Sequence, residues 1–205
     1  GNLYPTHGLG PVAQYMSLAR KEDNFKKIVS LSSPSKGKYL MAKKYFDKNH
    51  EWNKLEFKNG DINTSIIQTT YGKTIMIQWD ETSPRPYTRH NLIQGTMGAL
   101  TGFPTRVFFD SEENQNSIGY FPWIEGKDLS EIYEKYDHPL YKKLNEKTAD
   151  SGHGGMDGIM MSRVIECLQK GEPLDQNVYE GAFWSAVTPL SAKSIDSSGN
   201  PQNFP

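Results

Sequence analysis

The stretch INTSIIQTTYGKTIMIQWD, residues 62–80, carries the clearest β-strand signal in this chain. Two runs rich in β-branched residues, Ile62–Thr70 and Thr74–Asp80, flank Tyr71-Gly72-Lys73, which is typical of a hairpin turn. In the second run, large apolar side chains recur at every other position, so one face of the strand is apolar. Strands joined by so short a turn cannot be parallel, because parallel neighbours need a long crossover. The stretch therefore predicts an antiparallel hairpin.

Further elements are predicted on both sides of this hairpin. Strands are expected at Phe25–Ser32, Thr88–Gln94, Arg106–Phe109 and Ser117–Phe121. Helices are expected from Gly10-Pro11 onward, at Lys38–Phe46, Leu129–Tyr136, Leu140–Thr148 and Met156–Lys170, and after a capping Asp175. Strands grouped together with helices at the two ends predict an α+β fold: an open, mainly antiparallel β-sheet with helices packed on one face.

The length of 205 residues fits one domain, which we place at residues 1–190. From Ser191 the composition turns to Ser, Asn, Gly and Pro, so residues 191–205 are expected to form an extended tail. The chain starts at Gly1 without a Met, and we expect any targeting segment to be missing. Localisation stays open between the cytoplasm and a bacterial periplasmic or exported location.

Composition and spacing argue against several classes of protein. A net charge of −1 with scattered Lys and Arg argues against nucleic-acid binding. No stretch approaches the roughly 18 apolar residues of a membrane span. The single cysteine, Cys167, cannot form an internal disulfide and is predicted to be a small buried side chain. No H-E-x-x-H or C-x-x-C spacing occurs, so we expect no metal site. Gly8–Ala13 fits G-x-G-x-x-A, but no strand precedes it, so no nucleotide fingerprint is assigned.

Three segments place His, Tyr or Arg among Gly and Pro, where a fixed backbone can present them. Tyr4 and His7 lie before the first helix. They are either a pair that transfers protons, or His7 caps the helix and the Tyr4 ring packs beneath it. Arg85 and Tyr87 lie in a proline-stiffened loop, where Arg85 either binds hydroxyls or is a surface side chain. His153 lies in a glycine-rich turn before a helix. It is either part of a ligand-binding site or a loop residue without such a role.

Together these segments resemble glycoside hydrolase family 109, the NAD-dependent α-N-acetylgalactosaminidases of the Gfo/Idh/MocA oxidoreductase superfamily. The resemblance is carried by Asn2–Pro11, Ser83–Arg89 and Gly152–Asp157, the last continued by Pro173–Tyr179. It extends from Asn2 to about Ser191. It implies that this chain is the C-terminal, substrate-binding domain, and that an N-terminal Rossmann domain outside it holds NAD(P). The 205 residues alone are then expected to be inactive.

The resemblance also implies a mechanism and site residues. NAD would take hydride from C3 of the sugar, a base would remove the C2 proton, the C1 substituent would leave, water would add, and the hydride would return. By position in the motifs, Tyr4 and His7 are the catalytic pair, with His7 as acid/base and Tyr4 as proton relay or hydroxyl ligand. Tyr87, Arg85 and His153 are implied as substrate-binding residues.

The partners expected from this resemblance are a carbohydrate substrate, the protein's own Rossmann domain and a further copy of the chain, bound through the sheet face. Two other functions stay open. One is a sugar or polyol dehydrogenase of the same superfamily that uses NAD(P). The other is a non-catalytic domain for oligomerisation or binding.

Overall fold

The computed structural model describes residues 1–20, 23–111 and 121–205. The described chain forms two compact units. The first consists of residues 1–87 with 178–205, and the second of residues 88–177. Residues 1–190, which the sequence predicted as one domain, are thus divided between two units.

The elements are numbered in chain order along the described residues. The α-helices are α1 Thr6–Tyr15, α2 Gly37–Tyr45, α3 Leu129–Tyr136, α4 Pro139–Thr148, α5 Met156–Lys170, α6 Val178–Ser185 and α7 Val187–Asp196. The strands are β1 Phe25–Ser32, β2 Ile62–Thr69, β3 Thr74–Asp80, β4 Leu92–Gly95, β5 Gly98–Thr101, β6 Arg106–Phe109, β7 Ile124–Glu125 and β8 Gln202–Asn203. Short 3-10 turns lie at Glu51–Lys54 and Gly126–Asp128. None of these helices is both long and apolar enough to cross a bilayer.

The first unit contains a four-stranded antiparallel sheet in the order β3-β2-β1-β8. The predicted hairpin is confirmed as β2 and β3. Ile67 of β2 lies opposite Ile28 on one side and Ile75 on the other, and all three are buried. Since each fully buried aliphatic side chain contributes about 1.5–3 kcal/mol, this row anchors the core.

Helices α1, α6 and α7 cover this inner face of the sheet. The buried apolar cluster comprises Leu9, Ala13, Leu18, Phe25, Ile28, Ile67, Ile75, Trp184 and Val187. Its members come from both the helices and the strands. The predicted α+β class, with helices on one face of an antiparallel sheet, is confirmed.

The extended tail predicted from Ser191 is wrong, because this segment is part of the packed unit. Helix α7 continues through Asp196, and β8 then pairs with β1. Ser194 Oγ accepts the backbone N–H of Ser30 at 2.9 Å, and both serines are buried. Small hydroxyl side chains let the helix lie close to β1 while satisfying buried polar groups. The polar composition that suggested a tail therefore serves a helix–sheet contact.

The second unit holds a separate antiparallel sheet in the order β4-β5-β6-β7. The strand predicted at Thr88–Gln94 begins only at Leu92, and β5 at Gly98–Thr101 was not predicted. The Arg106–Phe109 strand is confirmed as β6. Most of the strand predicted at Ser117–Phe121 lies outside the described residues. The α5 helix carries the buried Cys167, as predicted.

Candidate functional site

Tyr4 and His7 lie together at the beginning of α1. Their ring centroids are 5.2 Å apart with an interplanar angle of 24°, so the rings are stacked. The helix begins at Thr6 rather than at Gly10, and this places His7 in its first turn. Pro5 is the N-cap residue, and no side chain caps the helix. His7 is therefore not a cap, and Tyr4, with 53% of its surface exposed, is not packed beneath the helix.

Buried neighbours on both sides fix the backbone around Tyr4. Asn2 is 1% exposed, and its backbone N–H donates to Ser191 Oγ at 2.8 Å. Pro5 is also buried, and its carbonyl accepts the N–H of Leu9 at 2.9 Å. Because the chain is anchored before and after Tyr4, this short segment presents its side chain at the surface.

The glycines of the first motif serve packing rather than phosphate binding. Gly10 is buried within α1, and a Cβ there would lie 3.2 Å from the ring of Trp184. Gly8 lies in the same helix, whereas a phosphate-binding turn needs a strand before it. The described residues thus do not form the pyrophosphate cradle of a dinucleotide at this motif.

Trp79 joins the Tyr4–His7 pair from the sheet, a role that the sequence did not reveal. Its ring centroid lies 6.1 Å from that of Tyr4 at an interplanar angle of 70°, an edge-to-face contact. Trp79 lies near the end of β3, opposite Asn63 of β2. The alternation in β3 indicated that Trp79 faces the apolar side of the strand, but no local signal connected it to Tyr4, which is distant in the sequence.

The loop that follows β3 is held by Asp80. One carboxylate oxygen of Asp80 accepts the backbone N–H of Ser83 at 3.1 Å, and the other lies 3.1 Å from Arg85 Nε. The Asp80 side chain is only 3% exposed, whereas 36% of the Arg85 side chain is exposed. One edge of the Arg85 guanidinium is therefore engaged within its own loop. Tyr87, the last residue of the first segment of this unit, is 72% exposed.

His153 lies in the second unit, in the glycine-rich turn before α5. Its Nδ1 lies 3.0 Å from both carboxylate oxygens of Asp157. Gly154 and Gly155 have φ of 65° and 95°, left-handed values that glycine adopts without strain. The expected turn and helix start are thus present, and the His153 side chain, 68% exposed, is oriented by Asp157.

The end of the third motif is held by Arg163 of α5. Arg163 Nε and Nη2 donate to Asp175 at 2.9 and 3.0 Å, and Nη1 lies 3.4 Å from Glu172. The hydrogen bonds that Arg163 donates to Asp175 raise the pKa of Arg163 above its ordinary value. Asp175 therefore links the loop to α5, whereas the sequence predicted it as the cap of the next helix, which begins at Val178.

Within the described ranges there is no group of three or more His, Cys, Asp and Glu side chains that could hold a metal ion. The chemistry that these residues offer is proton transfer and hydrogen bonding from aromatic side chains at the surface of the first unit.

Comparison with known proteins identifies the family. The model of the glycosyl hydrolase 109 C-terminal domain matches residues 1–205. This chain belongs to glycosyl hydrolase family 109. A glycosyl hydrolase family 109 protein of Akkermansia muciniphila is 60% identical over 207 residues, and these cover all of this chain and 42% of that protein. An α-N-acetylgalactosaminidase of Shewanella oneidensis is 50% identical over 206 residues, again covering the whole chain and 44% of that protein.

The family 109 chain thus spans less than half the length of these relatives. Its fold resembles that of two solved dehydrogenases. A levoglucosan dehydrogenase in complex with NADH and L-sorbose matches with a TM-score of 0.57 and 12% identity, over 88% of this chain and 45% of that one. An inositol dehydrogenase homolog from Azotobacter vinelandii, complexed with NADH and myo-inositol, matches with a TM-score of 0.51 and 12% identity, over 98% of this chain and 48% of that one. The predicted family is confirmed, and these two matches show a shared fold.

Proposed function

We propose that this chain is the substrate-binding part of an NAD-dependent glycoside hydrolase that acts on an α-N-acetylgalactosaminide or a related sugar. The observation that carries the proposal is the exposed, stacked Tyr4–His7 pair at the first turn of α1. Family membership and the name of the Shewanella oneidensis relative support the substrate class.

The part of the protein outside these residues would hold the cofactor. The chain covers 42–44% of its relatives' length, and its glycine motif packs against Trp184 rather than forming a nucleotide turn. We therefore assign NAD(P) to a Rossmann domain that belongs to the same protein. When bound, NAD would supply reversible removal of hydride from a sugar carbon, which makes the proton on the neighbouring carbon acidic.

The Tyr4–His7 pair would transfer that proton. A neutral imidazole can accept a proton from carbon and later return it, so His7 is assigned as acid/base. The Tyr4 hydroxyl would bind a sugar hydroxyl or relay the proton, since its ring is stacked on His7. Tyr87, Arg85 and His153 are proposed to contact the substrate, and Asp80 and Asp157 would orient Arg85 and His153.

The test uses the full-length enzyme and an aryl α-N-acetylgalactosaminide in D₂O. The proposal expects release of the aryl group with deuterium at C2 of the sugar, detected by NMR. His7→Gln should lower kcat by about 10²- to 10⁴-fold, the usual contribution of an acid/base group. His138→Asn is the matched control, because it also removes an imidazole while keeping an acceptor for the Leu140 N–H at a helix start.

Each other outcome points to a different function. Net NADH production from free sugars, without glycoside cleavage, would show a sugar or polyol dehydrogenase. Full cleavage activity in His7→Gln would indicate that this unit takes no part in the chemical steps and would favour a non-catalytic binding domain.

We also propose that a second copy of the chain binds to the outer face of the first sheet. Leu31, Ile66 and Met76 lie on this face, and their exposed fractions are 64%, 52% and 75%. Ile66 is the cross-strand partner of Met76, so two of these side chains are direct neighbours. Contiguous exposed apolar surface of this kind is typical of protein contact sites.

A further inference from the structure

Trp79 is placed where it can control the orientation of Tyr4. The Tyr4 ring contacts two aromatic side chains in different ways: it stacks on His7 at 5.2 Å and meets Trp79 edge to face at 6.1 Å. His7 belongs to the same short segment as Tyr4, whereas Trp79 belongs to β3, an edge strand of the sheet. The contact with Trp79 is therefore the one that connects the Tyr4 ring to the sheet of the first unit.

The surroundings of Trp79 show that it is more than a filler of the core. Its indole Nε1 is buried, and no acceptor for it exists among the described residues. Its cross-strand neighbour Asn63 is fully buried and donates from Nδ2 to the Gly60 carbonyl at 3.0 Å, while its Oδ1 has no donor in the described part of the chain. Phenylalanine or leucine would fill the position without an unpaired buried N–H, so the tryptophan is not explained by burial alone.

Tyr4 itself has little else to hold its ring. Its neighbours Asn2 and Pro5 fix the backbone, but 53% of Tyr4 is exposed, and an exposed side chain exchanges between rotamers within nanoseconds. A second aromatic contact at a fixed angle reduces this freedom. It thereby restricts how the Tyr4 ring can move relative to the His7 imidazole.

We propose that Trp79 is a positioning residue for the reaction, acting through Tyr4 and not through contact with the sugar. This inference rests on the proposed function, because it assigns Trp79 to the same proton-transferring pair. Misplacement of a reacting group by about 1 Å can cost roughly 100-fold in rate. Loss of the Trp79 ring should therefore lower kcat and leave KM nearly unchanged.

The experiment compares Trp79→Leu and Trp79→Phe in the full-length enzyme, each in the wild-type and in the Tyr4→Phe background. Trp79→Leu should lower kcat by about 10- to 100-fold in the wild type and by less than about twofold once the Tyr4 hydroxyl is gone. Trp79→Phe, which retains a ring, should lie between the wild type and Trp79→Leu. Trp52→Leu is the control, because it removes a surface tryptophan whose ring lies 5.3 Å from that of Phe46 instead.

A second measurement does not depend on activity. In protein labelled with 3-fluorotyrosine, the Tyr4 ¹⁹F resonance is assigned by its absence in Tyr4→Phe. It should shift in Trp79→Leu and stay in place in Trp52→Leu.

The results separate this inference from the proposed function. A raised KM with unchanged kcat in Trp79→Leu would show a direct sugar contact and overturn the positioning role, as would an equal loss in both backgrounds. An unshifted ¹⁹F resonance would also overturn it. If Tyr4→Phe itself left kcat unchanged, the proposed role of Tyr4 would fail first.

Discussion

Arg85 is held by Asp80: the guanidinium Nε lies 3.1 Å from one oxygen of a carboxylate that is almost completely buried. The other oxygen accepts the N–H of Ser83, so a single aspartate fixes both ends of the turn that leads to Tyr87. The proline-rich loop is thus rigid for two reasons, its prolines and this ion pair.

We expect Asp80→Asn and Arg85→Ala to lower the free energy of unfolding by similar amounts, about 1.5–3 kcal/mol, the range for hydrogen bonds to charged groups. The double variant should lose little more than either single variant, because both remove the same contact. Urea unfolding monitored by circular dichroism measures all three. Additive losses would show that Asp80 and Arg85 act independently.

Gly152 is required by the pairing of His153 with Asp157. A Cβ at Gly152 would lie 2.3 Å from Asp157 Oδ2, closer than any real contact. Gly152→Ala should therefore displace the carboxylate and release His153 Nδ1, which ¹H–¹⁵N NMR of the imidazole detects as a changed Nδ1 signal. Gly181→Ala is the control, since nothing lies within 4 Å of its Cβ position. An unchanged His153 signal in Gly152→Ala would contradict the pairing.

Features of the fold and the site were predictable from the sequence where the residues that determine them are close together in the chain. The β2–β3 hairpin was predictable because its turn and its alternation lie within one short stretch. The helix α7 was not, because Ser191 and Ser194 look like tail residues until Asn2 and β1 supply their partners. For the same reason the sequence indicated Tyr4 and His7, which are neighbours in the chain, but not Trp79 or Asp80, whose contacts depend on folding.

Asp23 makes the first unit sensitive to acid. Burial disfavours its ionised form, but hydrogen bonds from Lys73, the Tyr71 N–H and Thr69, together with the charge of Lys73, outweigh that effect and hold its pKa below the ordinary 3.8. Because the folded-state pKa is depressed, this stabilisation is present above about pH 4 and is lost as the pH falls through the folded-state pKa. Asp23→Asn should therefore lower the free energy of unfolding by about 2 kcal/mol at pH 6.

The difference between wild type and Asp23→Asn should shrink when urea unfolding is repeated at pH 2.5, because below the ordinary pKa of 3.8 protonation of this carboxyl favours the unfolded chain. Glu56→Gln, at an exposed position, should change the free energy of unfolding by less than about 0.5 kcal/mol at either pH. A wild-type advantage that stayed constant between pH 6 and pH 2.5 would mean that the charge of Asp23 does not stabilise the hairpin.

The outer face of the first sheet is the surface at which we expect the chain to self-associate. Ile66 and Met76 are neighbours across β2 and β3, with Leu31 exposed on the same face, whereas the opposite face is covered by helices. Single exposed apolar residues are common on monomers, but a contiguous group on a sheet face favours contact with another chain.

A lysine introduced at Ile66 would place a charge in that contact, where its desolvation is costly. In sedimentation velocity, Ile66→Lys should therefore convert an oligomer to a monomer, while Leu40→Lys, at an exposed apolar position of α2, should not. A wild-type protein that sediments as a monomer, or an oligomer that survives Ile66→Lys, would assign this face to something other than a second copy.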